Sequence, residues 1–293
     1  YLALASVCFF WGTTYFAIKI GLKDMPPILF AGFRHIIAGL LIISWFKIKG
    51  HAWPTKKQLI TNSVIGFFML LIGNGCMVYG QQYLPSVLTA ILGSTSPFWI
   101  VIISLFSSKT VKPNITVVIG LIIAFAGQIL LFSDGLDELK KVNGLTGILL
   151  TMTAVISWAI GTIYSKVNKQ DLNPIFASSF QMLFGGITLS TLGISVGEVS
   201  QLNFTPEATY SLIYLIVGGS ILGYGSYMYA LNSLPAGLVS IYAYINTIIA
   251  MILGYFLLNE KLSSNIGVAA VLTLLGVYLI NNGFNKVLNS KPK

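Results

Sequence analysis

Charged residues are scarce in this sequence of 293 residues, and their scarcity excludes a water-soluble domain. They make up 9 % of the chain, whereas 55 % of the residues are hydrophobic. Soluble globular proteins have a charged share of about a quarter. A chain with so few charges cannot cover its surface against water, so most of that surface must face lipid. The sequence therefore predicts an integral membrane protein.

Motifs for catalysis or metal binding are also lacking. Both cysteines, Cys8 and Cys76, lie inside apolar runs, which excludes a disulfide framework and a paired-thiol metal site. The two histidines, His35 and His51, belong to no H-E-x-x-H motif, and the chain has no Walker-type phosphate loop and no pair of aspartates in an apolar segment. We therefore expect no enzyme, no metal and no other cofactor.

Apolar segments divide the chain into ten pieces that can each cross a bilayer. A helix needs about 20 predominantly apolar residues to do so. Prolines at 27, 85, 113, 174 and 235 mark helix starts, since a proline in the first turn loses no hydrogen bond. The predicted transmembrane helices are 2–22, 28–46, 58–80, 85–106, 113–132, 143–165, 174–196, 208–231, 235–258 and 263–283. The first has no small-residue cleavage site, so we expect it to be retained rather than removed as a signal peptide.

The net charge of +9 is explained by orientation, and we exclude nucleic-acid binding. With the N-terminus inside, the inner connections and the tail hold eleven lysines against one acid, Asp171, and the outer connections hold four lysines against seven acids. Cytoplasmic loops carry the basic excess, so both termini are predicted to be cytoplasmic, in a bacterial cytoplasmic membrane. The inner lysines are Lys47, Lys49, Lys56, Lys57, Lys109, Lys112, Lys166, Lys169, Lys286, Lys291 and Lys293. The outer charges are Lys23, Lys140, Lys141, Lys261, Asp24, Asp134, Asp137, Glu138, Glu198, Glu207 and Glu260.

The sequence matches itself when it is shifted by about half its length. An offset of 147 aligns Trp11 with Trp158, Lys19 with Lys166, Pro27 with Pro174 and Gly39 with Gly186; an offset of 150 aligns Gly73 with Gly223 and Gly75 with Gly225. We predict two tandem units, 1–142 and 143–293, of five helices each. Because five is odd, the second unit is inverted in the membrane. Inverted repeats are typical of alternating-access transporters, which hold substrate near the midplane between the halves.

Several of these residues together resemble an EamA-type permease of the drug/metabolite transporter superfamily. The resemblance covers nearly the whole chain and rests on Trp11-Gly12, Thr13-Thr14-Tyr15, Pro27, Arg34, Pro85, Tyr244-Ile245-Asn246, Gly254 and Glu260. It implies a central cavity built mainly from the first four helices of each half, with the fifth and tenth helices at the periphery. It also implies a carrier of small metabolites, such as amino acids and their derivatives. The chain departs from the pattern at Asn246-Thr247, where the family often has Asn-Pro.

Polar and aromatic residues deep in the predicted helices are the candidates for substrate binding. Arg34, the single arginine, costs about 2.5–3.5 kcal/mol near the bilayer centre. It either faces the cavity and binds a carboxylate, or makes a structural bond or snorkels to the surface. Asn74, Met77 and Gln81 form a polar stripe that either lines the cavity or bonds across helices. The full set is Trp11, Tyr15, Arg34, Asn74, Met77, Gln81, Trp158, Gln181, Tyr224, Tyr227 and Tyr244.

Glycine and proline positions predict the hinges for gating, and the positions of the acids and of His35 bear on energy coupling. Gly75, Pro97 and Gly225 are candidate hinges, with close helix packing as the alternative for the glycines. All eight acids lie outside the predicted helices, which favours a facilitator or exchanger; proton coupling through His35 is the alternative.

The sequence thus predicts a secondary transporter of small metabolites, either amino acids or related amphipathic compounds, that works by alternating access. It is expected to be a monomer or a homodimer whose partners are substrate and membrane lipid. The alternatives are a proton-coupled or lipid-linked carrier working in the uptake direction, and an intramembrane enzyme or a channel.

Overall fold

Ten helices make up the protein in a computed structural model that describes residues 1–107, 110–132, 143–258 and 266–289. Within these ranges nine helices are long and apolar enough to span a membrane, and the tenth, Ile115–Phe132, contains the shorter apolar stretch Ile115–Leu130. The prediction of an all-α membrane protein with ten helices is confirmed. The helices are α1 Leu2–Gly21, α2 Pro27–Ile48, α3 Lys56–Gly80, α4 Ser86–Leu105, α5 Ile115–Phe132, α6 Gly144–Val167, α7 Pro174–Ser195, α8 Pro206–Ser233, α9 Ala236–Val239 with Tyr242–Leu258, and α10 Ile266–Asn289.

Some of the charges used to predict orientation fall outside these ranges. They are Lys109, Asp134, Asp137, Glu138, Lys140, Lys141, Glu260, Lys261, Lys291 and Lys293. Among the acids that the structure does describe, Glu207 lies in the first turn of α8 and Glu198 in a short 3-10 helix, Glu198–Gln201, after α7.

Helices that follow each other cross in opposite directions, so each connection within the described ranges lies at one of two faces. We name them the Leu2 face, where α1 begins, and the Gly21 face, where α1 ends. Odd-numbered helices of the first half therefore begin at the Leu2 face, and α6, α8 and α10 begin at the Gly21 face.

Prolines begin four of the helices at or next to the predicted positions. Pro27 and Pro174 lie in the first turn of α2 and α7, and Pro85 and Pro235 directly precede α4 and α9. The first turn of a helix has N–H groups without partners inside the helix, so a residue that lacks an N–H is favoured there. The local sequence therefore determines these four boundaries.

The N-terminus of α2 is completed by a residue from the other half of the chain. Pro26 is its N-cap and provides no side-chain hydrogen bond. The carboxylate of Glu198 accepts the backbone N–H of Ile28 at 3.2 Å and that of Leu29 at 2.7 Å. Glu198 is only 5 % exposed. An acid at a helix N-terminus satisfies unpaired donors and the helix dipole together.

Glycines allow two helix pairs to approach closely across the halves. α2 packs along α7, and α5 packs along α10. A Cβ on Gly186 would lie 2.9 Å from the carbonyl oxygen of Gly32, and a Cβ on Gly276 would lie 2.6 Å from that of Gly120. Small residues permit this backbone contact in membrane helices. The α5–α10 pair meets the rest of the bundle mainly through α4 and α9, as the family resemblance implies.

Four helices have an irregular segment, near the middle of α3, α4 and α8 and close to the start of α9. α3 and α8 contain π-helical segments, Phe67–Asn74 and Leu215–Tyr224, and each ends directly before a predicted hinge glycine, Gly75 or Gly225. α4 is interrupted after Gly93 and resumes at Ser96–Leu105, with Pro97 in its first turn. α9 is interrupted between Val239 and Tyr242, without a proline. π-Helical turns are rare and occur frequently at functional sites.

Candidate functional site: a central cavity with a cationic and an aromatic wall

A central cavity is enclosed by α1–α4, α6, α8 and α9, with about 90 Å³ available to the centres of water-sized molecules. Its wall on α1 extends from Trp11 to Ile18 and on α3 from Leu70 to Met77, so it lies between the middle of the bundle and the Gly21 face. This volume holds several waters or one small organic molecule. Eight of the predicted residues line it: Trp11, Tyr15, Arg34, His35, Asn74, Met77, Trp158 and Tyr224.

One part of the wall is polar and is supplied by α2 and α3. Arg34 is 4 % exposed, so its side chain does not snorkel to the surface. Its Nε donates to Ser220 Oγ at 2.7 Å. Within the described part of the chain, no hydrogen bond is recorded for the two terminal nitrogens, Nη1 and Nη2. A guanidinium has five N–H donors, so most of the hydrogen-bonding capacity of Arg34 is available to a ligand.

His35 and Asn74 continue this polar wall. His35 Nε2 and Asn74 Oδ1 are 3.0 Å apart and form a hydrogen bond between α2 and α3. His35 Nδ1 is buried and has no hydrogen-bond partner among the described residues. A buried polar atom without a partner costs free energy, so a ligand or water that bonds to Nδ1 would be stabilised.

The other part of the wall is a cluster of aromatic rings. The Trp11 indole N–H donates to the Gly219 carbonyl at 2.9 Å, which fixes the ring. Trp158 and Tyr242 meet Trp11 edge-on, with ring centroids 5.3 Å and 5.0 Å away. Tyr227 stacks on Trp11 at 5.1 Å with an interplanar angle of 29°. Such a cluster offers a rigid apolar surface to a flat or hydrophobic ligand.

Four predicted residues lie outside the central cavity. Tyr227 lies behind the aromatic wall, where its hydroxyl is 2.6 Å from Thr162 Oγ1. Gln81 donates to the Tyr15 carbonyl at 2.7 Å and so joins α3 to α1. Gln181 lines a second cavity. Tyr244 is fully buried but contributes to neither cavity.

Two wall residues on α9 were not predicted as substrate-binding residues. Tyr242 and Asn246 both face the central cavity. They are four residues apart, so they share one face of the helix. That spacing is visible in the sequence and could have identified the pair. Thr14 and Ser96 also line the cavity and were missed.

The second cavity lies at the Leu2 face, with about 40 Å³ available to the centres of water-sized molecules. Its wall is formed by the first turns of α3 and α7, the last turns of α6 and α8, and the connection between α6 and α7. Two lysines and several amide side chains lie in it: Lys166, Lys169, Asn62, Asn168, Gln170, Gln181 and Asn232.

Two lysines make the same contact at opposite faces. Lys19 near the end of α1 donates to carbonyls that follow α3, and Lys166 near the end of α6 donates to carbonyls at and beyond the end of α8. A cation at the carboxyl end of a helix satisfies unpaired carbonyls and the helix dipole. The acceptors are Gln81 at 3.1 Å and Leu84 at 2.9 Å for Lys19, and Leu231 and Leu234, both at 2.7 Å, for Lys166.

A metal site is not found among the residues that the structure covers: they contain no group of three or more His, Cys, Asp or Glu side chains that could hold a metal ion.

A ten-helix membrane bundle around a central cavity with a polar and an aromatic wall belongs to the class of membrane transporters for small molecules. The comparison with known families agrees, since the sequence model of the EamA-like transporter family matches residues 1–133 and 145–282. The chain therefore belongs to the EamA-like transporter family.

Relatives in bacteria cover nearly the whole chain. The uncharacterized inner membrane transporter YedA of Escherichia coli strain K12 is 33 % identical over 288 residues, which are 94 % of this chain and 91 % of YedA. The uncharacterized transporter YoaV of Bacillus subtilis strain 168 is 25 % identical, and the match covers 97 % of each chain. A solved crystal structure with 16 % sequence identity matches with a TM-score of 0.78 and covers 97 % of this chain and 98 % of its own, which shows a common fold. The protein is a multi-pass protein of the cell membrane.

Proposed function

We propose that this chain is a secondary transporter for amino acids or related amphipathic carboxylates, working by alternating access. As a member of the EamA-like family it is a membrane transporter of small molecules. The proposal for its substrate class rests on one observation above all: Arg34, whose terminal nitrogens have no hydrogen-bond partner among the described residues, lines a cavity whose wall also carries five Trp and Tyr side chains. A guanidinium binds a carboxylate through two parallel hydrogen bonds.

Alternating access is supported by the way the two halves pack. α1 packs against α8 and α9, and α6 packs against α3 and α4. Each half thus contacts the other through equivalent helices, with the cavity between them. Two related halves around one site are the arrangement in which rocking exposes the site to each face in turn.

The experiment for substrate class uses three ligands with the same phenyl group and different charges. They are phenylalanine, 3-phenylpropionate and 2-phenylethylamine, and each is tested for thermal stabilisation of the purified protein and for saturable flux in proteoliposomes. A ligand present at about 100 times its Kd stabilises by roughly 2.7 kcal/mol. We expect the two carboxylates to stabilise and to be transported, and the amine to do neither. Stabilisation by the amine alone would contradict the proposal.

Arg34→Lys separates carboxylate binding from a purely structural charge. Lysine keeps the positive charge but cannot form the bidentate contact. We therefore expect the affinity for 3-phenylpropionate, measured by thermal stabilisation, to fall at least about tenfold. The unfolding temperature without ligand serves as the control for structural damage. Unchanged affinity for 3-phenylpropionate would exclude Arg34 as the carboxylate ligand.

The residues that line the central cavity also bear on whether transport is coupled to protons. Within the described residues its wall contains no Asp or Glu, so we propose facilitated diffusion or exchange. An imposed pH gradient in the same vesicles should leave the flux unchanged. The alternative is proton coupling by His35, in which case the gradient accelerates flux and His35→Gln abolishes the acceleration.

A further inference from the structure

A thin barrier separates the central cavity from the second cavity at the Leu2 face. On α8, Tyr224 lines the central cavity and Met228 lines the second one. Four helical residues correspond to about 6 Å along the axis. On α3, Leu70 and Ile65 mark the same division. One turn of helix therefore lies between the two cavities.

A chain of hydrogen bonds crosses this barrier. The Tyr224 hydroxyl donates to Gln181 Oε1 at 2.5 Å, Gln181 Nε2 donates to Asn62 Oδ1 at 2.8 Å, and Asn62 Nδ2 donates to Gln170 Oε1 at 3.1 Å. Tyr224, Gln181 and Asn62 are each at most 1 % exposed. A satisfied buried polar network holds its members in one arrangement, because breaking it leaves desolvated groups unpaired. These hydrogen bonds therefore fix α8, α7 and α3 relative to one another.

We propose that the second cavity is the vestibule through which substrate passes between the Leu2 face and the central cavity, and that the Tyr224–Gln181–Asn62 chain is the closed gate between them. This inference rests on the proposed function. The wall of the vestibule contains Lys166 and Lys169, and one acidic residue, Asp171, lies close to Lys169 in the sequence. The resulting excess of positive charge suits a substrate that bears a carboxylate.

The chemistry of the gate permits opening without an unpaired charge. All three side chains are neutral, and hydroxyl and amide groups exchange hydrogen bonds readily with water or with a carboxylate. An entering substrate replaces the bonds that it breaks, so its passage leaves no buried donor unsatisfied. Apolar residues at the same positions would offer a passing carboxylate no such partners.

Thiol labelling from each face tests the gate without any substrate. A background without the native thiols, Cys8→Ala with Cys76→Ala, carries Ser96→Cys, a near-isosteric reporter in the wall of the central cavity. A negatively charged, membrane-impermeant methanethiosulfonate, which the lysines of the vestibule attract as they would the proposed substrate, is applied to oriented vesicles from one face or the other. Tyr224→Phe removes the hydrogen bond to Gln181 and the longer, weaker contact of the same hydroxyl with Met69 Sδ. We expect it to raise the labelling rate from the Leu2 face about threefold to tenfold, the effect of one lost hydrogen bond on an equilibrium.

Tyr244→Phe is the matched control, because it also removes one buried tyrosine hydroxyl. That hydroxyl has no hydrogen-bond partner among the described residues and lies outside both cavities, so the labelling rate should not change. Equal acceleration by both variants, or acceleration by Tyr224→Phe from both faces alike, would overturn the gate assignment.

A disulfide across the gate gives the opposite manipulation. Asn62→Cys with Gln181→Cys places two thiols on side chains that are in contact in the closed state, and an added oxidant such as diamide takes up their two protons and two electrons. The crosslink should stop flux, and a reductant should restore it. Undiminished flux through the crosslinked protein would overturn the proposal. Absence of flux in the parent protein would instead count against the proposed function, while the labelling result would still stand.

Discussion

Glu198 is the residue whose loss we expect to weaken the fold most specifically. Replacing it by alanine leaves the N–H groups of Ile28 and Leu29 without their acceptor. Loss of a capping side chain costs about 0.5–2 kcal/mol. Glu198→Ala should therefore lower the free energy of unfolding in detergent by about that amount, and Glu198→Gln should recover part of it because the amide oxygen still accepts a hydrogen bond.

Glu207→Ala is the control for this prediction. Glu207 is exposed in the first turn of α8, and that helix is already capped by Thr205, whose hydroxyl accepts the N–H of Ala208 at 3.2 Å. Removing Glu207 should cost about 0.3 kcal/mol in salt-containing buffer, the low end of the range of about 0.3–1 kcal/mol for an exposed charge at a helix end, because salt screens it. An equal loss in both variants would show that Glu198 acts through charge alone.

Residue types could be predicted from the sequence more reliably than residue orientations. A lone arginine and deep tryptophans are expensive or unusual in an apolar helix, so Arg34, Trp11 and Trp158 stood out, and all three line the cavity. The choice between Tyr242 and Tyr244 depended on helix rotation. Side chains two positions apart point about 200° away from each other around a helix. The interruption before Tyr242 determines which of the two tyrosines faces the cavity, and the local sequence does not predict that interruption.

Among the elements, the junction at Gly225 gives a clean test of the hinge prediction. A Cβ added there would meet only Ile175 Cγ2, at 3.7 Å, an ordinary van der Waals distance. Gly225→Ala should therefore fold normally, and the higher helix propensity of alanine should slightly stabilise it. If α8 must change its winding after the π-helical segment Leu215–Tyr224, this variant should slow transport several-fold in proteoliposomes.

Gly223→Ala is the comparison for packing, since a Cβ at that position would collide with Nε1 of Trp11. It should lower the thermal stability, whereas Gly225→Ala should not. Normal transport by a stable Gly225→Ala protein would contradict a hinge at this junction and leave close packing as the role of these glycines.

The positions of the helices follow from composition, but their internal irregularities do not. Length, apolar runs and proline placement predict the ten spans to within about three residues of their observed bounds, except for the end of α10, which is predicted at 283 and observed at Asn289. The π-helical segments of α3 and α8 lie where these helices make close contacts with their neighbours, as at Gly73 beside Trp158. Such contacts join distant parts of the chain, and the helical periodicity contains no record of them.

Orientation is a property of the whole molecule and has its own test. Lys47, Lys49, Lys56 and Lys57 lie at the Leu2 face, whereas Asp24, Glu198 and Glu207 lie at the Gly21 face. The positive-inside rule therefore predicts that the Leu2 face is cytoplasmic. In the background without native thiols, an impermeant maleimide should label Ser200→Cys on intact cells and Ala52→Cys only after lysis. The reverse pattern would invert the assignment of both faces, including the side on which the proposed vestibule opens.

The cap on α2 also imposes an order on how the protein is made. Glu198 follows Leu29 by 169 positions, and at about 5–20 residues per second its synthesis comes roughly 10–30 s later. During that time α2 is already in the membrane with the first turn unsatisfied or bound to water. The end of α2 at the Gly21 face can be capped only after α7 has crossed the membrane and brought the chain back to that face. The second half of the protein thus completes a helix of the first half, so the first half alone cannot form this cap.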